Sequence, residues 1–583
     1  LRSLLRAYRE QGDLAEIDAE VDPVLELPEI HRRVIAAGGP CLLFNRVKGS
    51  KYRVVTNLYG TPRRTEVAFG EHPREIIRQL AAVPESLLPP SLLKLWDKRR
   101  LIKDLLNVGI RSTSPTKSAL HPIDLNLESL PVLKSWPDDG GRFITLPLVY
   151  TEHPTSKIHN LGMYRLQVIA KDETGLHMQI GKGGGFHLAE AKGLETNLPV
   201  NVFLGGPPSL TLAAIAPLPE NIPELLFASL VLGSKLELTR HAPRELPYPG
   251  SAEFVLIGKC NPNELKPEGP FGDHYGYYSL KHDFPRFRIT KLLARPDAIY
   301  PATIVGKPRQ EDFYIGDYLQ EMLSPLFPLA MPTVKDLWSY GETGFHSLAA
   351  AVVTDRYRRE AMVSAFRILG EGQLSLTKFL LLTDRPQDLK NFKEVISYIL
   401  ERVNFGTDLY VFGNTSMDTL DYAGPKLNEG SKGVLMGLGD PIRKLPVEFV
   451  GAPSRAIAKV LPFCSGVLVV EGADYASDPG LALKISNDPS LSDWPLVVLA
   501  DDAEFCAGTT ENFLWNTFTR FEPARDIHPA NVELNNLSPR FKSPVVIDAR
   551  MKPWYPAEVE VDTDTKKLVD RRWSDYKLPR LST

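Results

Sequence analysis

Between Phe143 and Ala294 the chain passes through a succession of short apolar segments of strand length: FITLPLVYT, MYRLQVIA, LHMQI, VNVFLGG, LTLAAIA, KLELTR, EFVLIGK and FRITKLLA. Segments of this length, rich in β-branched and aromatic residues and bounded by turn formers, are strands looking for partners. A β-rich middle domain is therefore expected, reaching to about Lys307. The polar text KDETG, between the second and third segments, predicts a β-hairpin. One helix, Ile222 to Leu232, is expected to interrupt the sheet.

On either side the rhythm changes. From Leu1 to about Asp124, helical patterns (Arg2 to Gln11, Pro73 to Ala82, Leu92 to Leu106) alternate with the strands CLLFNRV and YRVVTNL, which is the signature of an α/β unit. After Pro308 the helix Tyr318 to Leu326, the strand FLLLT, the helix Pro386 to Val403 and the strand DLYVFG predict a second such unit, ending near Gly439. The strands GVLVVEG, LVVLA and PVVIDA follow in what reads as a C-terminal extension or small domain. No internal repeat or low-complexity segment is evident. The fold class is α/β in the broad, α+β multidomain sense. Residues 1–125 form an N-terminal α/β domain, 126–307 the β-rich domain, 308–440 a C-terminal α/β domain and 441–583 the extension.

Composition agrees and excludes several classes. At 583 residues the chain is too long for one hydrophobic core, and about three or four packed units are expected. A formal charge of -3 without a basic block gives no reason to expect a nucleic-acid partner. The four cysteines, Cys41, Cys260, Cys464 and Cys506, lie far apart, which excludes a disulfide framework and a zinc ribbon and fits a reducing cytoplasm. The opening LRSLLRAYREQGDL reads as a surface helix, and no apolar run approaches the roughly 20 residues of a membrane span.

Three stretches carry chemistry. In EGPFGDHYGYYS, Gly269, Pro270 and Gly272 prevent a regular helix, so a loop can aim Glu268 and Asp273 at one spot. Two acids facing one pocket can hold different protonation states, which suits proton transfer; a turn with two solvated acids is the plainer alternative. In HNLGMYRLQV, alternation puts Met163, Arg165 and Gln167 on one face and Tyr164, Leu166 and Val168 on the other. The Arg165 fork suits a carboxylate, although an arginine on a solvated strand face is the commoner case. In IGKGGGFH, three glycines and Lys182 could approach a phosphate, but the spacing is neither a P-loop nor a dinucleotide fingerprint, and a surface turn fits equally.

Together these stretches resemble the UbiD family of decarboxylases. Asn160 to Arg165 match its N-x-G-M-Y-R pattern, Glu268 to His274 its E-G-P-F-G-[DE]-H pattern, and PATIVGKPRQED its P-A-T-x-V-G-x-P-x-Q-E-D block. The resemblance covers about Leu1 to Gly439, and the extension looks like that of the longer members. It implies a split β-barrel that binds prenylated FMN, with the phosphate held through manganese or magnesium and potassium nearby. It implies Asn160 and Glu224 as metal ligands, and Asn160, Met163, Tyr164, Arg165, His177, Met178, Gln179, Lys182, Gly183, Glu224 and Lys378 as cofactor contacts. Arg165 would orient the substrate carboxylate, Asp273 would deliver the proton and Glu268 would relay to it. Gly181 stands where many members carry a histidine ligand, and His187 is the candidate replacement. The implied reaction is reversible non-oxidative decarboxylation of an aromatic, heteroaromatic or α,β-unsaturated acid. Its implied partners are a flavin prenyltransferase that supplies the cofactor and, through the C-terminal domain, a second copy of the chain in a homo-oligomer built from dimers. A flavin-binding oxidoreductase on a similar barrel and a non-catalytic assembly subunit are the competing readings.

Overall fold

The computed structural model describes residues 1–84, 96, 98–178, 183–218, 223–242, 245–307, 309–536 and 538–578. It divides into two compact units, one formed by Leu1–Met322 together with the residues from Ala557 onward, the other by Leu323–Pro556.

In the first unit, a four-stranded sheet takes Leu14–Val21, Cys41–Val47 and Arg53–Thr56 from the N-terminal region and Ile299–Pro301 from the far end of the β-rich region. The helix Glu26–Ala36 buries Leu27, Ile30 and Val34, a spacing that puts one apolar stripe against the core. Because Ile299–Pro301 completes this sheet, the N-terminal and β-rich regions share one hydrophobic core, running from Ile17 and Phe44 to Val200 and Phe287. The helix Thr563–Arg572 returns to pack on Glu26–Ala36.

The β-rich region forms a nine-stranded antiparallel sheet that curls into a half-barrel. Its spatial order is Phe143–Ile144, Leu166–Ala170, Glu173–Gly175, His282–Ala294, Phe254–Glu268, Leu198–Leu204, Leu148–Glu152 and His159–Gly162, with His121–Ile123 added beside His282–Ala294. Several expectations need correction. LTLAAIA lies in a helix, Pro208–Ile215, with Pro208 at its first position; an apolar run without alternation is ambiguous, and the proline pair before it favours a helix start. The hairpin exists, but its turn is Lys171–Asp172, with Glu173 already paired to Ala170. LHMQI is not a strand over its described residues, since the strand ends at Gly175. In KLELTR, Leu236–Leu238 pairs with Ile110–Ser112 away from the main sheet. GGGFH opens a helix, Gly183–Gly193, instead of forming a loop.

The second unit holds two five-stranded sheets. One has the spatial order Val334–Ser339, Leu348–Val353, Phe379–Thr383, Glu429–Gly437 and Leu409–Ser416; the other runs Ile457–Cys464, Val467–Gly472, Leu496–Ala500, Ser538–Asp548 and Ile527–Asn535. In each, the outer pairs are antiparallel and the two inner pairs parallel. The extension is thus a second sheet of the same topology, and the expectation of no internal repeat is corrected. Residue patterns do not reveal it, because strand order and sense, not identical residues, carry the repetition.

Candidate active site

Three segments converge on one buried point: the chain from the strand His159–Gly162 to Leu166, the end of the long strand Phe254–Glu268, and the turn after the short strand Phe271–Gly272. Arg165 stands at their centre. Its Nε donates to Glu268 Oε1 at 3.0 Å and its Nη2 to Glu268 Oε2 at 3.1 Å, so one carboxylate takes both tines of the fork. Its Nη1 donates to Asp273 Oδ2, and Nη2 also reaches Ser279 Oγ at 2.9 Å. The guanidinium lies 4.5 Å from the centre of the Phe271 ring. Side-chain exposures of 9% for Arg165, 1% for Glu268 and 10% for Asp273 exclude the solvated readings of all three.

Two histidines extend the cluster. His177 Nδ1 lies 3.2 Å from Glu268 Oε2, and His274 donates to Asp273 Oδ1 through its backbone N–H at 2.8 Å and meets the same oxygen with Nδ1 at 2.7 Å. Burial pushes the Glu268 carboxyl up, but Arg165 and the hydrogen bond with His177 outweigh it and hold the group at about 2. Asp273 is treated the same way: burial raises it, Arg165 and His274 overcome that, and it ends well below the usual carboxylate range. Burial and the neighbouring Arg165 charge lower His177. A third acid, Asp312, goes the other way, lifted to about 6 by burial with the charge of Asp273 adding to the lift against His274. The site therefore keeps two ionised carboxylates on one cation with a more basic acid nearby, a set of groups able to bind a carboxylate and to carry a proton.

The supporting hydrogen bonds are equally local. Gln167 shares the face of Arg165, as strand alternation requires; it accepts from Gly269 N at 2.9 Å and donates to Gly140 O at 2.9 Å. Asp139 Oδ2 accepts from Ser135 N and Trp136 N, and its Oδ1 accepts from Gly272 N at 2.8 Å, directly before Asp273. Gly272 is required by close packing, since a Cβ there would sit 2.1 Å from the buried Trp136 ring.

On the other face of the same strand entrance, Tyr164 turns toward the start of the helix Gly183–Gly193. Its hydroxyl accepts from Gly184 N at 3.3 Å and from Asn160 Nδ2 at 3.4 Å. A Cβ on Gly183 would lie 2.0 Å from Asn160 Oδ1, and one on Gly184 would lie 3.0 Å from Met178. The helix therefore begins with glycines pressed against Asn160, Tyr164 and Met178, with no acidic residue in its first turn. A glycine-opened helix start of this kind lets neighbouring groups approach the backbone closely. Glu224 opens the helix Glu224–Leu232; burial raises its carboxyl, opposed by backbone N–H groups that include that of Leu161, the residue after Asn160.

Comparison with known proteins places this geometry in a family. The N-terminal, Rift-related and C-terminal domains of 3-octaprenyl-4-hydroxybenzoate carboxy-lyase match residues 5–83, 110–308 and 313–437. The chain belongs to the UbiD family of carboxy-lyases. A Chlamydia pneumoniae protein, named as one of the subunits of a 4-hydroxybenzoate decarboxylase, is 50% identical over 579 residues, covering 99% of this chain and 98% of that protein. The fold is that of the UbiD-class enzyme HmfF from Pelotomaculum thermopropionicum, solved with FMN, with a TM-score of 0.62 at 24% identity over 78% of this chain and 97% of that one. Vanillic acid decarboxylase from Sedimentibacter hydroxybenzoicus gives 0.67 at 22% identity over 78% and 95%.

Within this UbiD chain, Asn160, Met163, Tyr164, Arg165, His177, Met178, Gly183 and Glu224 all fall in the half-barrel and the helices on it. Gln179, Gly181 and Lys182 lie outside the described residues. Lys378 belongs to the second unit, where it is buried with its Nζ 2.6 Å from Asp421 Oδ2. His187 is buried and engaged, its Nδ1 lying 2.8 Å from Thr151 Oγ1, and Thr151 is the strand partner of Asn160. Burial, aided by His153, lowers His187 to about 4. Among the described residues no group of three or more His, Cys, Asp or Glu side chains is disposed to hold a metal ion, and no helix is long and apolar enough to cross a membrane. Sequence reasoning missed Asp139, His274, Ser279 and Asp312 as members of the site. His274 and Asp312 were within reach, because both stand inside the motif blocks that carried the resemblance.

Proposed function

We propose that this chain catalyses reversible non-oxidative decarboxylation of an aromatic, heteroaromatic or α,β-unsaturated carboxylic acid with prenylated FMN as cofactor. The observation that carries this reading is the buried Arg165 fork shared by Glu268 and Asp273. A substrate carboxylate docking on Arg165 brings a third negative charge to a cation already shared by two. That raises the proton affinity of both acids, so the proton that replaces carbon dioxide is taken up as substrate binds. Asp273 delivers it to the substrate carbon, Glu268 and Arg165 tune its acidity, and His274 and His177 link the pair to neighbouring polar groups.

When bound, prenylated FMN supplies the electron sink for the carbon that loses carbon dioxide. Asn160, Tyr164, Met178 and Gly183 would hold its phosphate end, with Met163, Arg165, His177, Gln179, Lys182 and Lys378 as the further contacts that the family resemblance implies. Asn160 and Glu224 would hold Mn2+ or Mg2+, with K+ beside it, offsetting the repulsion between carboxylate and phosphate. The chain would work in the cytoplasm, take its cofactor from a flavin prenyltransferase and form a homo-oligomer.

The test is carbon dioxide release by protein made alongside a flavin prenyltransferase. The panel includes 4-hydroxybenzoate, named for the Chlamydia pneumoniae relative, vanillate, a dihydroxynaphthoate and a cinnamic-type acid. Release from at least one acid, with modified flavin absorbing in the near ultraviolet and visible, is expected. Protein made this way without flavin would overturn the proposal.

A further inference from the structure

The two sheets of the second unit repeat in detail as well as in topology. The helix Phe392–Arg402 leads through a buried Val403 and a capping residue into the short helix Phe405–Asp408, and the helix Thr510–Arg520 leads through Phe521 into Pro523–Asp526. At the first junction Asn404 N donates to Asp408 Oδ2 at 2.8 Å; at the second Glu522 N donates to Asp526 Oδ2 at 2.7 Å. After the central strands, Gly439 N donates to Asp384 Oδ2 at 2.8 Å and Met551 N to Asp501 Oδ2 at 2.7 Å. Corresponding residues make corresponding bonds, which marks two copies of one domain.

The copies meet reciprocally. The short helix Phe405–Asp408 of the first packs on the strand Ser538–Asp548 of the second, and the short helix Pro523–Asp526 of the second packs on Glu429–Gly437 of the first, where Ala524 N donates to Ser431 Oγ at 2.8 Å. The helix Thr510–Arg520 packs on the turn Gly341–Thr343, while Ser397, on the helix Phe392–Arg402, donates to Ser465 O at 3.2 Å in the turn between the first two strands of the second copy. One buried core joins them, with the Phe392 ring tilted against Phe513 and the Phe379 ring tilted against Phe518. Element X on Y together with Y on X is the defining property of an isologous, two-fold interface.

The second copy lacks the first copy's lysine pair, although it keeps buried ion pairs of its own at Asp548–Arg550 and Asp526–Lys552. The first has Lys378 just before its central strand, paired with Asp421, and Lys432 beside it in register. At the corresponding positions the second has Pro495 and Pro544. The long segment between Ser416 and Glu429, which carries Asp418 and Asp421, is replaced by a tight turn at Asn536. The family match also stops at residue 437, before the second copy begins.

We propose that the segment from Gly439 to Pro556 is a duplicated C-terminal domain acting as a built-in partner. It fills, within one chain, the two-fold face that a single copy would offer to another chain, and it carries none of the first copy's charged site. Any oligomer of this protein then forms through other surfaces.

This inference does not depend on the reaction proposed above, and its readout needs no activity. Ser397 Oγ of the first copy lies 3.7 Å from the native Cys464 Sγ of the second, so Ser397→Cys places two thiols across the seam. Full-length Ser397→Cys chains, grown in 14N and 15N media, are mixed under conditions that allow the chains to exchange, then oxidised and digested for mass spectrometry. Disulfide-linked peptides of matched isotope only are expected. Mixed-isotope pairs would show the seam formed between chains and overturn the proposal. If that variant does not fold or oxidise, the parent chains are mixed and cross-linked through lysine, and pairs joining residues 334–437 to 457–548 are read in the same way, with the same deciding outcome.

Discussion

Arg165 grips Glu268 with both Nε, at 3.0 Å, and Nη2, at 3.1 Å, while its remaining terminal nitrogen is given to Asp273. Only a guanidinium makes these contacts together; an ammonium is a point donor. Arg165→Lys keeps the charge and alters one implied flavin contact among many, so it is expected to keep its flavin yet to lose roughly 10²-fold or more in kcat/KM. Steady-state kinetics beside a flavin absorbance spectrum checks this, and near-parent turnover would contradict it.

Neither acid is among the implied cofactor contacts, so Asp273→Asn and Glu268→Gln should fold and bind flavin. General acid catalysis contributes about 10²–10⁴-fold, and each variant should lose at least the lower figure. The double variant should be little worse than either single one, since groups acting as a unit are not additive. Retained activity in Asp273→Asn with flavin unchanged would make Glu268 the first candidate for the proton donor.

Glu268 is held at about 2 in the folded chain against an ordinary value of 4.5. A depressed carboxylate contributes stability that is complete above the unfolded value and lost as pH falls through the folded one. The parent should therefore lose an advantage in Tm over Glu268→Gln as pH drops from about 4.5 toward 2. A Tm gap between the two that stays constant across this window would refute the assignment.

Glu224→Ala is expected to lose metal and flavin together, because the carboxylate and the cofactor phosphate would share one cation. Metal analysis and absorbance on the same sample report both. Full flavin occupancy in the variant would remove Glu224 from the ligand set. If His187→Ala keeps its metal, His187 serves Thr151 alone.

Asp139 accepts three backbone N–H groups with its two oxygens. Asp139→Asn turns one acceptor into a donor facing donors, at a cost of about 1–3 kcal/mol. A lower Tm and a loss of turnover with normal flavin are expected, since Gly272 and Asp273 are set by that carboxyl. An unchanged Tm would mean that the loop is held by other contacts.

The sequence by itself determined the order of α/β, β-rich and α/β regions, and the acids and arginine of the site were legible in Glu268, Asp273 and Arg165. Strand-length apolar runs identify sheets by local rules; for the three site residues the local patterns left solvated readings open, and the combined motifs that resemble the UbiD family singled them out. Tertiary structure alone decided the rest. That LTLAAIA is a helix, that Ile299–Pro301 completes the N-terminal sheet, and that Asp139 holds Gly272 all depend on residues far apart in the chain. The duplicated domain is the clearest case, because strand order and reciprocal packing survive after Lys378 and Lys432 have given way to Pro495 and Pro544. Backbone hydrogen bonding and burial require only apolar residues of suitable size at each position, so a fold can be copied while its sequence drifts beyond recognition.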